Sequence, residues 1–476
     1  MLLLNYFKVV NDMYGVNIDN IKSNFSKYTE VRIEKNSQYK ISIVNGIVMI
    51  NYKNINSGVN ARVYDNGVWG FAANWDVSEE SIQNVIRKAE SNASFLKLKT
   101  PRKVEKFDHK QYCNENFKCQ NSLKVSQNVV NKKQCTDFGK NICAYIKSKY
   151  RDIGNVIIDM LYENTEKEII CSDNIYWYGI LPRTTMNISL ITEKDGKPIE
   201  ISKKFGGLGN IQDNFNEFDK LYKDIDVLCK YLIDKKNGVY AKSGEKQCVL
   251  SSYVSGLMAH EAIGHMLEAD TIMNGPFKFD SIGKKIANSK LTLVDFAHTA
   301  FGKNCPIPIY VDDEGTKCED VIAIENGILK EFMCNKEMAN VLGIKPKGNA
   351  RLESFSNDPV ISMRNTCIMP SDDKVGDMIA SIEDGYYLII PTSAQVDINS
   401  QFITGIKCGY EIKNGKIGNA ILNTSISGDV KTFLNSISMI GDDFKWLNGG
   451  ICTKKIQMRV GMGSPSIKCT VNIGGV

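Results

Sequence analysis

The sequence has no long apolar run and no block of like charges. No stretch approaches the roughly 20 apolar residues that a helix needs to cross a bilayer. The 59 basic and 54 acidic residues are spread along the chain without a run of five or more like charges, and the net charge is +5. We therefore expect neither a membrane nor a nucleic acid as a partner.

Paired cysteine motifs are also missing. The 14 cysteines lie scattered between Cys113 and Cys469, and none forms a C-x-x-C pair. Residues 1–15 lack the basic region and the cleavage site of a secretion signal, and we interpret them as an amphipathic first helix. These features predict reduced thiols, mostly packed as small buried apolar residues, in a cytoplasmic protein.

Turn signals indicate antiparallel sheet in both halves of the chain. Asn-Gly pairs lie inside apolar alternation at residues 45–46, 66–67, 326–327 and 414–415, and an Asp-Gly pair does so at 195–196. Such pairs supply the positive φ angles that tight hairpins require. The 476 residues exceed what one hydrophobic core usually supports, so two domains are expected.

Helical periodicity interrupts the strands. One predicted helix follows Ser78, a suitable N-cap, with apolar residues at helical spacing: Ile82, Val85, Ile86 and Ala89. A second predicted helix stops at Asn237 and Gly238 and has one apolar face, formed by Phe218, Leu221, Ile225, Leu228 and Leu232. Residues 100–120 are interpreted as a looser connection within the first half of the chain. The predicted fold class is α+β, with an N-terminal α+β domain (1–235) and a C-terminal catalytic domain (236–476).

The main chemical signal is the stretch HEAIGH at residues 260–265. It is one residue longer than H-E-x-x-H, in which two helical histidines hold zinc beside a glutamate base. Each helical residue advances about 100°, so histidines five apart diverge by about 140°. A π-bulge would bring His260 and His265 back to one side, and Gly264 would lower the steric cost of that distortion. The alternative is two histidines on an ordinary core helix.

A catalytic zinc site needs a third protein ligand, and spacing alone leaves several open. Nearby candidates are Glu268 and Asp270. More distant ones are His298, the acidic residues 312–314, and a cysteine. Cys452 stands out because the two glycines before it would let the backbone approach a buried ion.

Other polar residues can be interpreted as structural or as functional. Glu268 and Asp270 would orient the histidines or be solvated acids at a helix end. The acidic residues 312–314 precede a glycine, which favours a turn. Arg351 would bind a substrate carboxylate or bridge to Glu353. The stretch GGLGN at 206–210 is interpreted as a flexible turn, because no phosphate-loop lysine follows it.

Taken together, the motifs resemble those of the TldD/PmbA family of metalloproteases. The likeness runs through nearly the whole chain in the same order: SGVNARVYDNGVWGFA (57–72), HEAIGHMLEAD (260–270), VDDEGT (311–316), KGNARLESF (347–355), AQVDINS (394–400), ISMIGDDF (437–444) and the Cys452 segment that ends in VGMGSP. The intact histidine motif is similar to that of the active, TldD-like subunits and not to that of PmbA-like ones.

The resemblance implies a Zn²⁺ ion held by His260, His265 and Cys452, with Glu261 as catalytic base. It also implies peptide substrates that bind in an extended form, and a homodimer or a heterodimer with a PmbA-like subunit. The chain departs from the family after Cys452, where Thr453 and Lys454 replace the common Gly-Lys. It departs again at 392–394, where Thr-Ser-Ala replaces glycines.

These observations predict a zinc-dependent metallopeptidase that hydrolyses unfolded or extended peptides. Zinc would make water more acidic and polarise the scissile carbonyl, and Glu261 would carry the proton to the leaving amine. Two alternatives remain. The chain would be a non-catalytic partner that zinc merely stabilises, or a metal-dependent hydrolase of modified peptides.

Overall fold

The computed structural model of the chain describes residues 17–99, 118–120, 132–173, 175–272 and 275–474, with only the backbone described for 118–120. The helix predicted within residues 1–15 lies outside the described residues. So does the predicted connection at 100–120, apart from its last three residues, which form a short strand.

The first half is one twisted sheet with helices packed against it. Its strands are β1 (Tyr28–Val44), β2 (Ile47–Asp65), β3 (Val68–Asn74), β4 (Lys118–Gln120), β5 (Asn155–Cys171), β6 (Tyr176–Lys194) and β7 (Lys197–Leu208). The order β3-β2-β1-β5-β6 is antiparallel throughout, and β4 and β7 both pair with β6. Its helices are α1 (Ile18–Lys22), α2 (Glu79–Lys99), α3 (Lys132–Lys149), α4 (Ile211–Asn214) and α5 (Phe218–Lys236).

The predicted hairpins and helices of this half are confirmed. The turn residues Asn45, Asn66 and Asp195 all have positive φ angles, as do the glycines after them. Helix α2 begins after Ser78, whose hydroxyl accepts a hydrogen bond from the backbone N–H of Ser81. Helix α5 buries the predicted apolar face except at Phe218, the first residue of the helix, which is 53% exposed.

The second half contains two larger sheets and several two-stranded pairings. Its strands are β8 (Gly244–Leu250), β9 (Leu293–Phe296), β10 (Thr299–Ala300), β11 (Lys303–Asn304), β12 (Val321–Glu325), β13 (Ile328–Leu329), β14 (Ala350–Arg351), β15 (Val360–Ile361), β16 (Asn365–Ile368), β17 (Asp384–Val396), β18 (Gln401–Lys413), β19 (Lys416–Ile421), β20 (Thr424–Asp429), β21 (Met439–Ile440), β22 (Lys445–Leu447), β23 (Ile451–Cys452), β24 (Met458–Arg459), β25 (Gly461–Ser464) and β26 (Ile467–Gly474). Its α-helices are α6 (Ser252–Met258), α7 (Lys336–Leu342), α8 (Val375–Ala380) and α9 (Val430–Ser436).

One of these sheets closes on itself. Strands β17, β8, β26, β20 and β18 pair in that order, and a further pairing of β17 with β18 completes the ring. The second sheet has the order β13-β12-β9-β16-β25-β22. Helix α6 packs against β17 of the ring and against β22 and β25 of the second sheet. This sandwiched helix leads directly into the HEAIGH segment.

The architecture confirms the α+β fold class, with antiparallel sheets and packed helices in both halves. The Asn-Gly hairpins at 326–327 and 414–415 form as predicted, joining β12 to β13 and β18 to β19. Every cysteine whose side chain the structure describes is buried and outside any disulfide. No helix within the described residues has both the length and the apolar character needed to cross a membrane.

The chain between Lys236 and Gly244 contains the predicted domain boundary, but the two halves share a core. Ile389, Ile390 and Cys408, from β17 and β18, are buried in the same cluster as side chains of β5, β6 and α5. The boundary itself stays a prediction.

A buried network of charges joins the two halves. Arg62 of β2 lies with Nη1 3.1 Å from Glu314 Oε1 and 3.7 Å from Glu30 Oε2. Lys336 donates to the backbone oxygen of Glu314 (2.6 Å) and lies 3.5 Å from Asp173. Because buried charges are costly unless each has a partner, this network fixes how the halves meet.

Replacement of Arg62 with Met should lower the free energy of unfolding by about 3–5 kcal/mol, because Glu314 would keep a buried charge without its ion-pair partner and Glu30 would retain only Arg32. Lys284→Met is the matched control, since Lys284 and Asp280 form a pair that is 61% and 76% exposed, and it should change stability by less than about 0.5 kcal/mol. Urea unfolding measures both. Equal stability of the two variants would contradict the structural role of the network.

Candidate metal centre

The two histidines of HEAIGH lie on a distorted helical turn. The Ser251 side chain caps α6 by accepting a hydrogen bond from the Val254 N–H. The backbone then widens into a π-helical turn at Ala259–Ile263 and tightens into a 3₁₀ turn at Gly264–Leu267. The extra residue is absorbed there, and the imidazole centroids of His260 and His265 are 4.8 Å apart. The predicted π-bulge is therefore confirmed.

Gly264 has a different role from the one expected. Its φ of −59° and ψ of −44° are ordinary helical values that any residue adopts. A Cβ at this position would lie 2.1 Å from the Met363 Sδ atom. Close packing of the Met363 thioether, and not backbone freedom, is what requires a glycine here.

Cys452 completes the cluster. Its Sγ lies 3.3 Å from His265 Nε2, although 187 residues separate the two in sequence. One donor atom from each of His260, His265 and Cys452 lies within 4.8 Å of the others, and all three residues are buried. Of the third-ligand candidates that spacing left open, the structure brings only the cysteine into this group.

Glu268 contacts His265 through the ring nitrogen that does not face Cys452. Its Oε2 lies 3.1 Å from His265 Nδ1, so this hydrogen bond turns His265 Nε2 toward Cys452. Lys455 in turn lies 3.1 Å from Glu268 Oε2 and 2.6 Å from Asp270 Oδ2. A carboxylate behind a ligating imidazole fixes its tautomer and orientation, which fits the orienting role considered for Glu268.

His260 gives the sharpest indication that the cluster binds something. Its side chain is completely buried, and neither Nδ1 nor Nε2 has a hydrogen-bond partner among the described residues. Burial and the adjacent His265 hold the pKa of His260 well below its usual range, so its imidazole is neutral. A neutral imidazole with an unused nitrogen lone pair, beside a second imidazole and a thiol, completes a suitable donor set for zinc.

The charges around the cluster are set by burial and by its own contacts. Burial alone would lower the pKa of His265, but the hydrogen bonds to Cys452 and Glu268 raise it to about 9. Burial raises the pKa of Glu261, whose Oε2 lies 3.5 Å from His265 Nε2. Glu261 therefore borders the donor atoms directly and has a carboxylate suited to taking up a proton.

The remaining sequence candidates lie outside the cluster. His298 stacks on Tyr310 with ring centroids 4.7 Å apart. Asp312 Oδ1 accepts from the N–H groups of Glu314 (3.0 Å) and Thr316 (2.8 Å), which agrees with the turn interpretation. The GGLGN stretch ends β7, with positive φ at two of its glycines, Gly206 and Gly209.

The suggested bridge from Arg351 to Glu353 is wrong. Arg351 donates instead to the backbone oxygens of Met363 (2.5 Å) and Arg459 (2.7 Å). Its buried guanidinium is bonded to these carbonyls and not to the Glu353 carboxylate. Glu353 pairs with Arg459. Lys455 was missed as a residue of this region, and its position three residues after Cys452 was the only available signal.

The chain matches known proteins over most of its length. Residues 243–475 match the model of the PmbA/TldA metallopeptidase C-terminal domain, and residues 29–93 match PmbA/TldA metallopeptidase domain 1. A zinc metalloprotease TldD homolog from Saccharolobus solfataricus is 29% identical over 455 residues, which cover 94% of this chain and 97% of the relative. A metalloprotease TldD homolog from Buchnera aphidicola subsp. Acyrthosiphon pisum is 37% identical over 307 residues, covering 62% and 63%.

A solved structure shares the fold. TldE from Thermococcus kodakarensis superimposes with a TM-score of 0.72 over 96% of this chain and 99% of its own, at 16% sequence identity. At that identity the likeness concerns the fold alone.

The contact between Gly264 and Met363 can be tested by a double-mutant cycle. Gly264→Ala should lower the free energy of unfolding by about 1–3 kcal/mol through overpacking against the thioether. Combined with Met363→Ala it should cost less than the sum of the single variants, because the new methyl group occupies the space that the thioether leaves. Gly376→Ala, with no atom within 4 Å of the new methyl group, is the control. Additive costs within about 0.5 kcal/mol would rule out this contact as the reason for the glycine.

Proposed function

Because the chain belongs to the TldD/PmbA family of metallopeptidases, we propose that it is a zinc-dependent peptidase whose metal is held by His260, His265 and Cys452. The observation that carries this proposal is the buried convergence of the three donor atoms, together with the unpartnered nitrogens of His260. Three protein ligands leave a fourth position open, which is the arrangement of a catalytic and not a structural zinc site. Residues 236–476 are the proposed catalytic domain.

Glu261 is the proposed base. A bound zinc ion would act as a Lewis acid that makes a water molecule more acidic and polarises the scissile carbonyl. Glu261 takes the proton of that water as the new C–O bond forms, and gives it to the amine nitrogen as the C–N bond breaks. Its position next to His260 in sequence and 3.5 Å from His265 Nε2 supports this role. Glu268 keeps His265 Nε2 directed at the donor cluster.

The proposed substrate is an extended peptide that adds to the free edge of β17. Strand β17 pairs with β8 only as far as Leu388, so the β8-side edge of residues 389–396 has no strand partner among the described residues. Thr392 and Ser393 are exposed where the pairing with β18 is irregular, and Ala394 packs against the cluster around Cys452. Backbone pairing along such an edge accepts many sequences, because the hydrogen bonds involve no side chain.

An assembly of two subunits is proposed as well, either of two copies or with a PmbA-like partner. Strand β2 forms an edge of the sheet near its start, where it pairs only with β1. It exposes several large apolar side chains there, namely Ile47, Met49, Tyr52 and Ile55. An exposed apolar edge strand usually has a partner. The proposed compartment is the cytoplasm, which suits the buried, unpaired thiols.

Glu261→Gln should retain zinc and lose cleavage of an unfolded peptide mixture, because the amide cannot accept the proton of the attacking water. A positioned general base contributes about 100- to 10,000-fold, so the loss should fall in that range. Glu245→Gln, at an exposed position on β8, should keep full activity. Zinc content and peptide products measured side by side separate the two effects. Undiminished cleavage by Glu261→Gln would remove Glu261 from the mechanism.

Cys452→Ser should reduce zinc content well below one ion per chain, since the hydroxyl is a much weaker zinc ligand than the thiolate. His260→Ala should do the same. Cys469→Ser replaces a buried thiol outside the cluster and should keep full occupancy. Metal analysis after dialysis decides the matter. If the parent protein had no peptidase activity and a chelator unfolded it, zinc would be structural and the chain would be a non-catalytic partner.

A further inference from the structure

A cavity lies between the two halves of the molecule, apart from the His260, His265 and Cys452 cluster. It holds about 750 Å³ of space including its open mouth. Its floor is the face of the first-half sheet, with Glu34 on β1, Lys167 on β5, and Trp177, Leu181 and Arg183 on β6. Its roof is formed by second-half segments, which are residues 306–309, Val311, Asp313, residues 351–353 and Arg459.

The strand geometry explains why these floor residues converge. Trp177, Leu181 and Arg183 are separated by even numbers of residues, so their side chains leave β6 on the same face. The indole of Trp177 lies over Gly179, where a Cβ would be 2.3 Å from the ring. The glycine thus leaves the space that the indole occupies.

Arg183 is a buried cation without a carboxylate. Its side chain is 7% exposed, and its only hydrogen bond within the described residues runs from Nη1 to the Pro306 backbone oxygen (2.9 Å). The nearby carboxylate of Glu163 is already held by Arg459, with Arg459 Nε 3.0 Å from Glu163 Oε2. Burial and the neighbouring Arg459 lower the pKa of Arg183 to about 10. A buried guanidinium in such surroundings is stabilised by an anion.

Two further polar atoms in the cavity are unused. Glu34 Oε2 and Trp177 Nε1 are buried and have no hydrogen-bond partner in the described part of the chain. Each such group in a folded protein calls for a partner. Among the charged and polar groups that line the cavity, Arg183 thus lacks a carboxylate partner, and Glu34 Oε2 and Trp177 Nε1 lack hydrogen-bond partners within the described residues. The apolar side chains of Leu181, Ile307 and Ile309 line the same cavity.

We propose that this cavity binds a short extended peptide by its carboxylate, which forms an ion pair with Arg183. Trp177 Nε1 donates to a peptide carbonyl and Glu34 accepts from a peptide N–H, while the apolar side chains contact the peptide's own. Trp177 and Arg183 are six residues apart along β6, about 20 Å, which an extended peptide of about six residues spans. That the ligand is a peptide rests on the proposed peptidase function.

The cavity shares a wall with the proposed metal centre. Arg351 donates across that wall to the backbone oxygens of Met363 and Arg459. Met363 contacts Gly264 in the histidine turn, and Arg459 pairs with Ile451, the residue before Cys452.

The test measures peptide binding by fluorescence anisotropy in the Glu261→Gln background, so that no turnover is required. The probes are a labelled hexapeptide with a free C-terminal carboxylate, the same peptide amidated, and the amidated peptide with one internal glutamate. The free acid should bind at least about tenfold more tightly than the amide, as expected for a charge-assisted hydrogen bond. Tight binding of the glutamate peptide would identify a side-chain carboxylate as the anchor and supports the proposal equally.

Arg183→Gln should abolish the preference for the carboxylate, and Arg183→Lys should keep part of it. Arg87→Gln, which removes an exposed arginine on α2, should leave the preference intact. Thermal melts confirm that each variant is folded, and Arg183→Lys decides the matter if Arg183→Gln is not. No preference in the parent, or an undiminished one in a folded Arg183→Gln, would overturn the proposal. Binding does not require Glu261, so continued cleavage by Glu261→Gln would refute the mechanism and leave this result standing.

Discussion

The single extra residue in the helical turn at Ala259–Ile263 is the constraint on which the site depends. With regular helical geometry, His260 and His265 would point in directions about 140° apart. The π turn removes that divergence and leaves the imidazoles in contact. A π turn is intrinsically less stable than an α turn, so it persists because α6 before it and the Glu268 contact after it hold both ends.

The same turn is tied to distant segments by close packing and by charge. Gly264 admits the Met363 thioether, and the backbone oxygen of Met363 accepts from the buried guanidinium of Arg351. Arg351 also binds the Arg459 backbone, next to the strand pair that presents Cys452. Two histidines close in sequence and one remote cysteine thus keep a fixed geometry through contacts that involve none of the donor atoms.

Much of this structure could be predicted from the sequence, where local rules decide. The five Asn-Gly and Asp-Gly pairs that lie in apolar alternation each form a hairpin, because these residues readily adopt the positive φ angles that a tight turn requires. Helical spacing identified α2 and α5, and the mismatch of five residues with a helical period predicted the π turn. These local rules could not predict contacts between residues that lie far apart in the sequence. Spacing could not select Cys452 among the third-ligand candidates, because a partner 187 residues away obeys no local period. The reason for Gly264 and the isolation of Arg183 depend on neighbours that only the folded chain supplies.

The core shared by the two halves bears on how the chain folds and is handled. Ile389, Ile390 and Cys408 complete a cluster whose other buried members all belong to the first half of the chain. A fragment that begins at the family-matched residue 243 would leave these side chains facing water, and the first half alone would lack part of its own interior. Neither fragment then has a complete core. Truncation between Lys236 and Gly244 would therefore yield fragments that expose apolar surface and aggregate, and not two domains that fold independently.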